Sequence, residues 1–513
     1  MQRLSSYALG AWHSGGKNAA IISNPTTLEP VAECSTEGID FAAVTRHGRE
    51  SGGPALRAMT FGQRGALLKD LSAAIHEHRE ELIAIGCQDG GNTRGDAKFD
   101  IDGATGTLAA YAHLAQSLGD QPFLQAGDQI QLGRTKRFGG LHISVPREGI
   151  AVHINAFNFP AWGMAEKMAC AILAGVPVIE KPGTPTAVLA WSVAQIIVES
   201  GILPEGAFQF LCGSVGDLLD HLGPQDALAF TGSAATGAKL KAHPGLVARN
   251  VRVNIEADSL NAAVLAPDVD PSSNTYSLFL SNLVLDLTQK AGQKCTAVRR
   301  ICVPSDRVEE VTSDLVAALG RVVQGDPADS KSRMGPLASE AAFEGVRAGI
   351  ARLSEHARIA CGGPEPAADR GCFIAPTLLV AEDPRTAIFH EEEVFGPVAT
   401  VLPYGGSPEE AVELVVLGQG SLVASLYSSD SAWTRTFVLG IAPWHGRVWI
   451  GSERCAEQAL PPGMVLPSMV HGGPGRAGGG EELGAERGLD FYLQRVAIQG
   501  FKGLLDSEFS QPR

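Results

Sequence analysis

Gly292-Gln293-Lys294-Cys295 places one cysteine in a polar, glycine-containing turn, directly after the helix-like run 274–289. A cysteine is a nucleophile only as the thiolate, so a reactive cysteine needs surroundings that stabilise negative charge. Alone, a cysteine after a helical run is usually a buried or incidental thiol. Its importance therefore depends on the segments that accompany it.

Three upstream segments carry the groups that such chemistry needs. They are Phe157-Asn158-Phe159-Pro160, Phe230-Thr231-Gly232-Ser233-Ala234-Ala235-Thr236-Gly237 and Asn254-Ile255-Glu256-Ala257-Asp258. A strand, a glycine turn and a helix start direct backbone N–H groups toward an anion. The amide of Asn158 can donate to an oxyanion, or it can cap the helix that follows. Glu256 is either a general base or the partner of a basic residue.

The composition is that of an ordinary globular protein. The 513 residues suggest two to four domains, and 44% are hydrophobic and 19% charged. A net charge of −15 argues against nucleic acid as a partner. We see no span long and apolar enough for a bilayer and no secretion signal, so we expect no membrane and a cytoplasmic location. The nine cysteines form no C-x-x-C pair, so we predict no metal site.

From Gly149 onward the pattern alternates between strands and helices. Apolar strands at 150–154, 176–180, 207–211 and 227–230 are separated by helical segments near 161–173, 187–200 and 215–222. This alternation predicts an α/β fold with a parallel sheet, whose ligands bind beyond the carboxyl ends of the strands. Asn158, Lys181 and Gly232 each follow a strand, so we expect them in one crevice.

The remaining elements complete a division into three parts. We predict a Rossmann-like coenzyme domain (1–127 and 148–258), an α/β catalytic domain (259–484) and a small β oligomerisation arm (128–147 and 485–513). The arm rests on a hairpin at 129–145 with which the alternating tail 491–500 pairs. We also expect one edge strand at 7–12, one long amphipathic helix at 61–87 and a long ordered loop at 461–480.

With these motifs in this order, the chain resembles the aldehyde dehydrogenase superfamily over essentially its whole length. The resemblance implies that Cys295 is the nucleophile, Glu256 the general base and Asn158 the oxyanion donor. It also implies that Lys181 and the turn Gly232–Gly237, with Ser233, bind the coenzyme. Glu393-Val394-Phe395-Gly396-Pro397 resembles the contacts to the nicotinamide ribose and ring, and Glu481-Glu482-Leu483-Gly484 the C-terminal motif, which adds Glu482 to the catalytic set.

Two departures from the family pattern narrow the substrate. The sequence Glu256-Ala257-Asp258-Ser259-Leu260-Asn261 replaces the usual Glu-Leu-Gly-Gly-Lys, and His471-Gly472-Gly473-Pro474-Gly475-Arg476 follows later. Both resemble the branch that oxidises semialdehydes of ring-cleaved aromatic CoA thioesters. Members of the phenylacetate pathway carry a fused hydratase domain, whereas these 513 residues show no such extension. We therefore expect the benzoyl-CoA epoxidation pathway. A phenylacetate-pathway semialdehyde and a general medium-chain aldehyde are the alternatives.

The coenzyme and the assembly are predicted from particular segments. NAD-preferring relatives carry a glutamate after the lysine–proline pair, whereas Lys181-Pro182 is followed here by Gly183-Thr184. Because Thr184 can donate to a 2′-phosphate and a glutamate would repel it, we predict NADP, with weaker use of NAD. Exposed edge strands in the arm predict a homodimer, although a tetramer stays possible.

Two alternatives from other classes stay open. A cofactor-independent cysteine acyl hydrolase would need a histidine paired with Cys295 and no nucleotide turn. His153, His390 and His471 are available, but none stands in a recognisable dyad pattern. A catalytically silent scaffold is disfavoured by the presence of Cys295, Glu256 and Asn158 together.

Overall fold

The computed structural model describes residues 1–510, so the last three residues of the predicted arm lie outside the described part. The strands are β1 (Gln2–Leu4), β2 (Ser6–Ala8), β3 (Ala11–His13), β4 (Ala20–Ser23), β5 (Pro30–Cys34), β6 (Leu124–Gln131), β7 (Phe138–Pro146), β8 (Ala151–Ile154), β9 (Val178–Lys181), β10 (Phe208–Phe210), β11 (Ala227–Thr231), β12 (Arg252–Glu256), β13 (Ala262–Leu265), β14 (Arg300–Pro304), β15 (Ala357–Cys361), β16 (Thr377–Ala381), β17 (Val398–Tyr404), β18 (Ser421–Tyr427), β19 (His445–Gly451), β20 (Val470–Gly473), β21 (Gly480–Leu483) and β22 (Leu493–Phe501).

The α-helices are α1 (Phe41–His47), α2 (Gly53–Arg57), α3 (Phe61–Glu77), α4 (Arg79–Asp89), α5 (Arg94–Leu118), α6 (Trp162–Ala174), α7 (Ala187–Glu199), α8 (Ala234–Lys241), α9 (Pro244–Ala248), α10 (Asn274–Thr288), α11 (Val308–Leu319), α12 (Glu340–Leu353), α13 (Ile388–Glu391), α14 (Pro408–Val416), α15 (Ser431–Ile441), α16 (Arg487–Asp490) and α17 (Lys502–Glu508). Within residues 1–510, none of these helices is long and apolar enough to cross a membrane.

Two seven-stranded sheets form the framework and confirm the predicted α/β fold. The first has the order β12-β11-β8-β9-β10-β2-β3, and the second has the order β15-β16-β17-β14-β13-β18-β19. The strands β12 to β10 run parallel, as do β16 to β19. Parallel strands with helices on both faces are buried on both sides, which explains their nearly continuous apolar sequences.

The predicted pairing of the tail with the hairpin is confirmed. Strand β22 runs antiparallel to β7 from the pair Leu493–Pro146 to the pair Phe501–Phe138, and β6 covers the other edge of β7. The arm is therefore a three-stranded sheet. No contact within this chain tests the division into three domains, which stays a prediction.

Several local predictions are wrong because of turn chemistry. The expected edge strand at 7–12 is a hairpin of β2 and β3, since Leu9 and Gly10 have positive φ. The expected long helix at 61–87 breaks at His78, where φ is −95° and ψ is 12°, between α3 and α4. The segment 215–222 contains only the 3-10 turn Leu218–His221. Asn158 does not cap the next helix, which begins after Ala161.

The turn before Cys295 has an unusual backbone conformation. Lys290, Ala291 and Gly292 have φ values of 53°, 52° and 69° in succession. Side chains disfavour this left-handed region, so the turn persists only because its surroundings hold it. A Cβ at Gly292 would lie 2.3 Å from the carbonyl oxygen of Gly396.

We therefore expect Gly292→Ala to lower the melting temperature by several degrees and to abolish the reactivity of the Cys295 thiol. The added methyl meets backbone and cannot be accommodated by a side-chain rotation. Thermal unfolding and the rate of alkylation by iodoacetamide measure the two effects. Gly345→Ala is the control, because that helical glycine has no atom within 4 Å of its Cβ position. A wild-type alkylation rate in Gly292→Ala would contradict this account of the turn.

Candidate active site

The first sheet brings the sequence-predicted segments to one edge. The strands β9, β8, β11 and β12 are neighbours, and Lys181 pairs with Ile154 while Thr231 pairs with Glu256. Because these strands are parallel, the residues that follow them share the carboxyl edge of the sheet. Asn158, Lys181, Gly232 and Glu256 therefore lie at or just beyond this edge.

A small cavity of about 40 Å³ lies at this edge. Its volume is enough for a few water molecules. Its polar lining comes from both sheets and from the segment 461–480, and comprises Asn155, Asn158, Glu166, Lys167, Thr231, Glu256, Cys295, Thr296 and His471. The predicted nucleophile, base and amide donor therefore lie around the same space.

His471 links the predicted base to the predicted nucleophile. Its Nε2 atom lies 3.0 Å from Oε2 of Glu256 and 3.8 Å from Sγ of Cys295. A histidine therefore lies within hydrogen-bond reach of Cys295, although no local sequence pattern indicated it. His153 instead contacts Glu180 and Tyr492, and His390 contacts Arg300.

Burial and charge act against each other in this trio. Burial disfavours the charged form of Glu256, but the nearby His471 outweighs it and lowers the pKa of Glu256 to about 2. Burial also disfavours the charged form of His471, but the negative charge of Glu256 outweighs this effect and raises the pKa of His471. Burial and the charge of Glu256 raise the pKa of Cys295 well above its usual value. These shifts favour an imidazolium–carboxylate pair beside a neutral thiol.

Two buried side chains hold the turn that carries Cys295. Asn261 donates from Nδ2 to the carbonyl oxygens of Cys295 (2.8 Å) and Ala297 (2.9 Å). Arg299 donates to the carbonyls of Gly292 (2.9 Å), Lys294 (3.3 Å) and Gly396 (2.8 Å). Arg299 thereby satisfies the carbonyl of Gly292 at the end of the left-handed turn, and Asn261 fixes the backbone on both sides of Thr296.

Glu482 lies behind the cavity rather than in its lining. Its Oε2 atom is 3.2 Å from Nζ of Lys167, and Asn254 donates to its Oε1 atom at 3.1 Å. Lys167 does line the cavity, and it also donates to Thr231 at 2.8 Å. Glu482 therefore reaches the site through Lys167.

The predicted coenzyme turn has a form suited to a phosphate. Ser233 caps α8, with its Oγ accepting from the backbone N–H of Thr236 at 3.3 Å. A Cβ at Gly237 would lie 2.8 Å from Ile255, so the glycine lets the helix start close to β12. The first turn of α8 points its N–H groups toward the crevice edge. Lys181 and Thr184 lie partly buried at and just after the end of β9, which β8 separates from β11.

Glu393 and Phe395 lie on the opposite side of the crevice. Burial, opposed by Arg299, raises the pKa of Glu393 to about 8, and its Oε1 atom has no hydrogen-bond partner within residues 1–510. The ring of Phe395 meets that of Phe157 at 5.9 Å. The Nε atom of Arg299 forms an ion pair with this oxygen at 3.7 Å, beyond hydrogen-bond distance, so the oxygen can accept from a sugar hydroxyl and these residues fit a nicotinamide coenzyme.

An apolar channel connects the cavity with a charged groove. The channel shares Phe99, Trp162 and Val465 with the cavity, and it is lined further by glycines of α5 and by Met464. It shares Gly95, Lys98 and Gln289 with a groove of about 1150 Å³. The charged side chains of this groove are Arg94, Asp96, Lys98, Arg321, Asp329 and Arg333. Cations outnumber anions there, although the whole chain is acidic.

The sequence did not indicate the residues that set the charge and the rigidity of the site. His471 opens the glycine-rich motif that carries part of the resemblance, but only the fold brings it to Cys295. Lys167, Asn261 and Arg299 have no local pattern, because their role is set by contacts across the two sheets. Asn261 had one signal, since it closes the unusual segment after Glu256.

Comparisons with known proteins agree with this geometry. The chain is 42% identical over 479 residues to 3,4-dehydroadipyl-CoA semialdehyde dehydrogenase from Aromatoleum evansii, covering 92% of this chain and 93% of the relative. It is 28% identical to a chloroplastic betaine aldehyde dehydrogenase from Amaranthus hypochondriacus, covering 93% of this chain and 92% of that relative. Lactaldehyde dehydrogenase from Escherichia coli superposes with a TM-score of 0.84 at 25% identity, covering 97% and 98%. The sequence profile of the aldehyde dehydrogenase family matches residues 12–498, and the chain belongs to this family.

Proposed function

We propose that this protein oxidises 3,4-dehydroadipyl-CoA semialdehyde to its carboxylic acid with NADP, in the aerobic degradation of benzoate. The observation that carries the proposal is the identity of 42% to a dehydrogenase of that name over nearly the whole chain. The shared cavity of Cys295, Glu256 and Asn158 supports the aldehyde chemistry. The apolar channel and its cationic groove support a long anionic substrate.

Cys295 loses its thiol proton to solvent and attacks the aldehyde carbon, so that a carbon–sulfur bond forms as the carbon–oxygen π bond opens. The negative charge that develops on the oxygen is stabilised by the Asn158 amide and by the backbone N–H of Cys295. One donor of this kind lowers the barrier by ~3–4 kcal/mol. Asn261 and Arg299 keep the turn rigid, so the donors need little reorganisation during the attack.

Lys181, Thr184, the Gly232–Gly237 turn and Glu393 would hold a nicotinamide coenzyme, which would supply the acceptor for the hydride of the aldehyde carbon. The chain then carries a thioester on Cys295. Glu256 takes a proton from the water that attacks this thioester, which releases the acid and the thiol. His471 orients Glu256 toward this water, and Lys167 with Glu482 offers an exit for the proton.

We expect Glu256→Gln to form the thioester and then to stop. Glu256 is needed only when water attacks the thioester. Because the thioester forms before that step, one equivalent of reduced coenzyme per active site should appear. Rapid-mixing absorbance measures the burst, and Cys295→Ala is the control that gives none. Continued turnover at the wild-type rate would exclude Glu256 as the base, and cleavage of the CoA thioester without coenzyme would favour the acyl hydrolase.

We expect the double variant Arg321→Ala, Arg333→Ala to raise KM for a CoA-thioester semialdehyde and to leave KM for free medium-chain aldehydes unchanged. Both side chains are exposed, so each contact to a CoA phosphate contributes modestly, and a loss of about threefold to tenfold follows. Steady-state kinetics with both substrates measures it. Arg358→Ala, an exposed arginine outside the groove, is the control. Equal effects on both substrates would contradict a role in binding CoA.

Thr184 is the residue that favours NADP over NAD. It begins the 3-10 turn Thr184–Thr186 close to Lys181, where a glutamate would repel the 2′-phosphate. Burial lowers the pKa of Lys181, but a phosphate favours its charged form. A charge-assisted hydrogen bond of roughly 1.5–3 kcal/mol corresponds to a preference of about tenfold to a hundredfold.

We expect Thr184→Glu to reverse this preference, while the uncharged Thr184→Gln reduces it less. The ratio of kcat/KM for the two coenzymes measures the change. The pair of variants separates repulsion of the phosphate from crowding, because the two side chains have nearly the same size. A wild-type preference for NAD, or an unchanged ratio in Thr184→Glu, would contradict the assignment.

We propose a homodimer built through the arm. The arm exposes several large apolar side chains, namely Ile130, Leu132, Phe138, Val496 and Phe501. Monomeric proteins rarely expose such a cluster to water. We expect light scattering at micromolar concentration to give at least twice the chain mass. Phe501→Asp should shift the equilibrium toward the monomer, whereas Ile21→Asp, at an exposed position outside the arm, should not. A monomeric wild type would refute the proposal.

A further inference from the structure

Three metal-ligating atoms converge inside the cavity. They are Sγ of Cys295, Nε2 of His471 and a carboxylate oxygen of Glu256, and all lie within 4.8 Å of one another. Within residues 1–510 this is the one group of its kind. A single nitrogen of His471 faces both other ligands, at 3.0 Å and 3.8 Å. The three atoms therefore surround one point.

These separations are short enough for one zinc ion to bind all three atoms. Bonds of about 2.0–2.3 Å to nitrogen, oxygen and sulfur at tetrahedral angles place the ligand atoms roughly 3.3–3.6 Å apart. Small side-chain rotations would bring the observed distances to these values. The cavity of about 40 Å³ leaves space for the ion and a fourth ligand such as water.

We propose that Cys295, His471 and Glu256 form a reversible binding site for Zn²⁺, whose occupancy blocks the nucleophile. The step replaces protons by the metal: Zn²⁺ binds, the thiol and the imidazolium each release one proton, and no electron is transferred. A thiolate, a carboxylate and a neutral imidazole together balance the charge of Zn²⁺. Neutrality favours the ion in a buried site, where an uncompensated charge is costly.

The site differs from a lone reactive thiol in its dependence on His471. A cysteine alone binds zinc weakly, whereas three protein ligands hold the metal and leave one position open. His471 comes from a strand at the far end of the chain, so a family member with an apolar side chain at this position would lack the site. The sequence could not indicate it, because the ligands stand at positions 256, 295 and 471 without a local spacing pattern.

The test uses the full-length enzyme without coenzyme or aldehyde, and ZnCl₂ as the probe. We expect titration calorimetry to give one tight site per chain, and zinc to protect Cys295 from iodoacetamide until a chelator is added. Cobalt(II) should give the absorption of a tetrahedral site with a thiolate ligand. His471→Phe should weaken binding by about a hundredfold, because one of three protein ligands is lost. None of these measurements depends on the proposed function.

Controls keep the result interpretable. His356→Gln and Cys455→Ala alter a histidine and a cysteine outside the cavity, and both should bind zinc as the wild type does. His471→Asn replaces His471→Phe if the latter does not fold, as judged by thermal unfolding. Equal zinc affinity in the wild type and the folded His471 variant would overturn the proposal. Absence of protection of Cys295 at micromolar zinc would also overturn it.

Discussion

The site depends on a backbone turn that would not persist without buried polar support. Lys290, Ala291 and Gly292 all take left-handed φ values immediately before the segment that presents Cys295. Such conformations cost about 1–3 kcal/mol at each non-glycine residue. Arg299 binds the carbonyl of Gly292 in this turn, and Asn261 binds the carbonyl of Cys295 just after it, both from neighbouring strand ends. The second sheet therefore fixes Cys295, while the first sheet supplies the groups that face it.

Charge balance is the second constraint on this site. The cavity holds Glu256 and Glu166 against His471 and Lys167, and Glu482 lies directly behind. An isolated buried charge would be neutralised by a proton, so each group stays ionised only while its partner is present. Burial raises the pKa of Glu166 to about 7, whereas the ion pair with His471 holds that of Glu256 low. Two nearby carboxyl groups thus differ because only one has a close cationic partner.

The sequence predicted the parts of the fold that follow from periodicity and from strand ends. The alternation after Gly149 predicted the parallel sheet, and the positions of Asn158, Lys181 and Gly232 predicted the crevice. Breaks such as His78 could not be predicted, because one residue with non-helical angles interrupts an otherwise continuous apolar pattern. Arg299 and Asn261 could not be assigned either, since a buried polar side chain acquires its role from backbone groups far along the chain.

The segment 461–480 shows why the prediction of a loop was incomplete. Its second half forms β20 and, through Gly480, the start of β21, which pair from Gly473–Gly480 to Val470–Leu483. A Cβ at Gly478 would lie 2.2 Å from the carbonyl oxygen of Ile255, and one at Gly480 would lie 2.5 Å from it. The glycines therefore allow two backbones to touch where side chains would hold them apart. Because Ile255 precedes Glu256, this close approach is what brings His471 to the carboxylate. The glycine content that suggested a loop is a requirement of the active-site geometry.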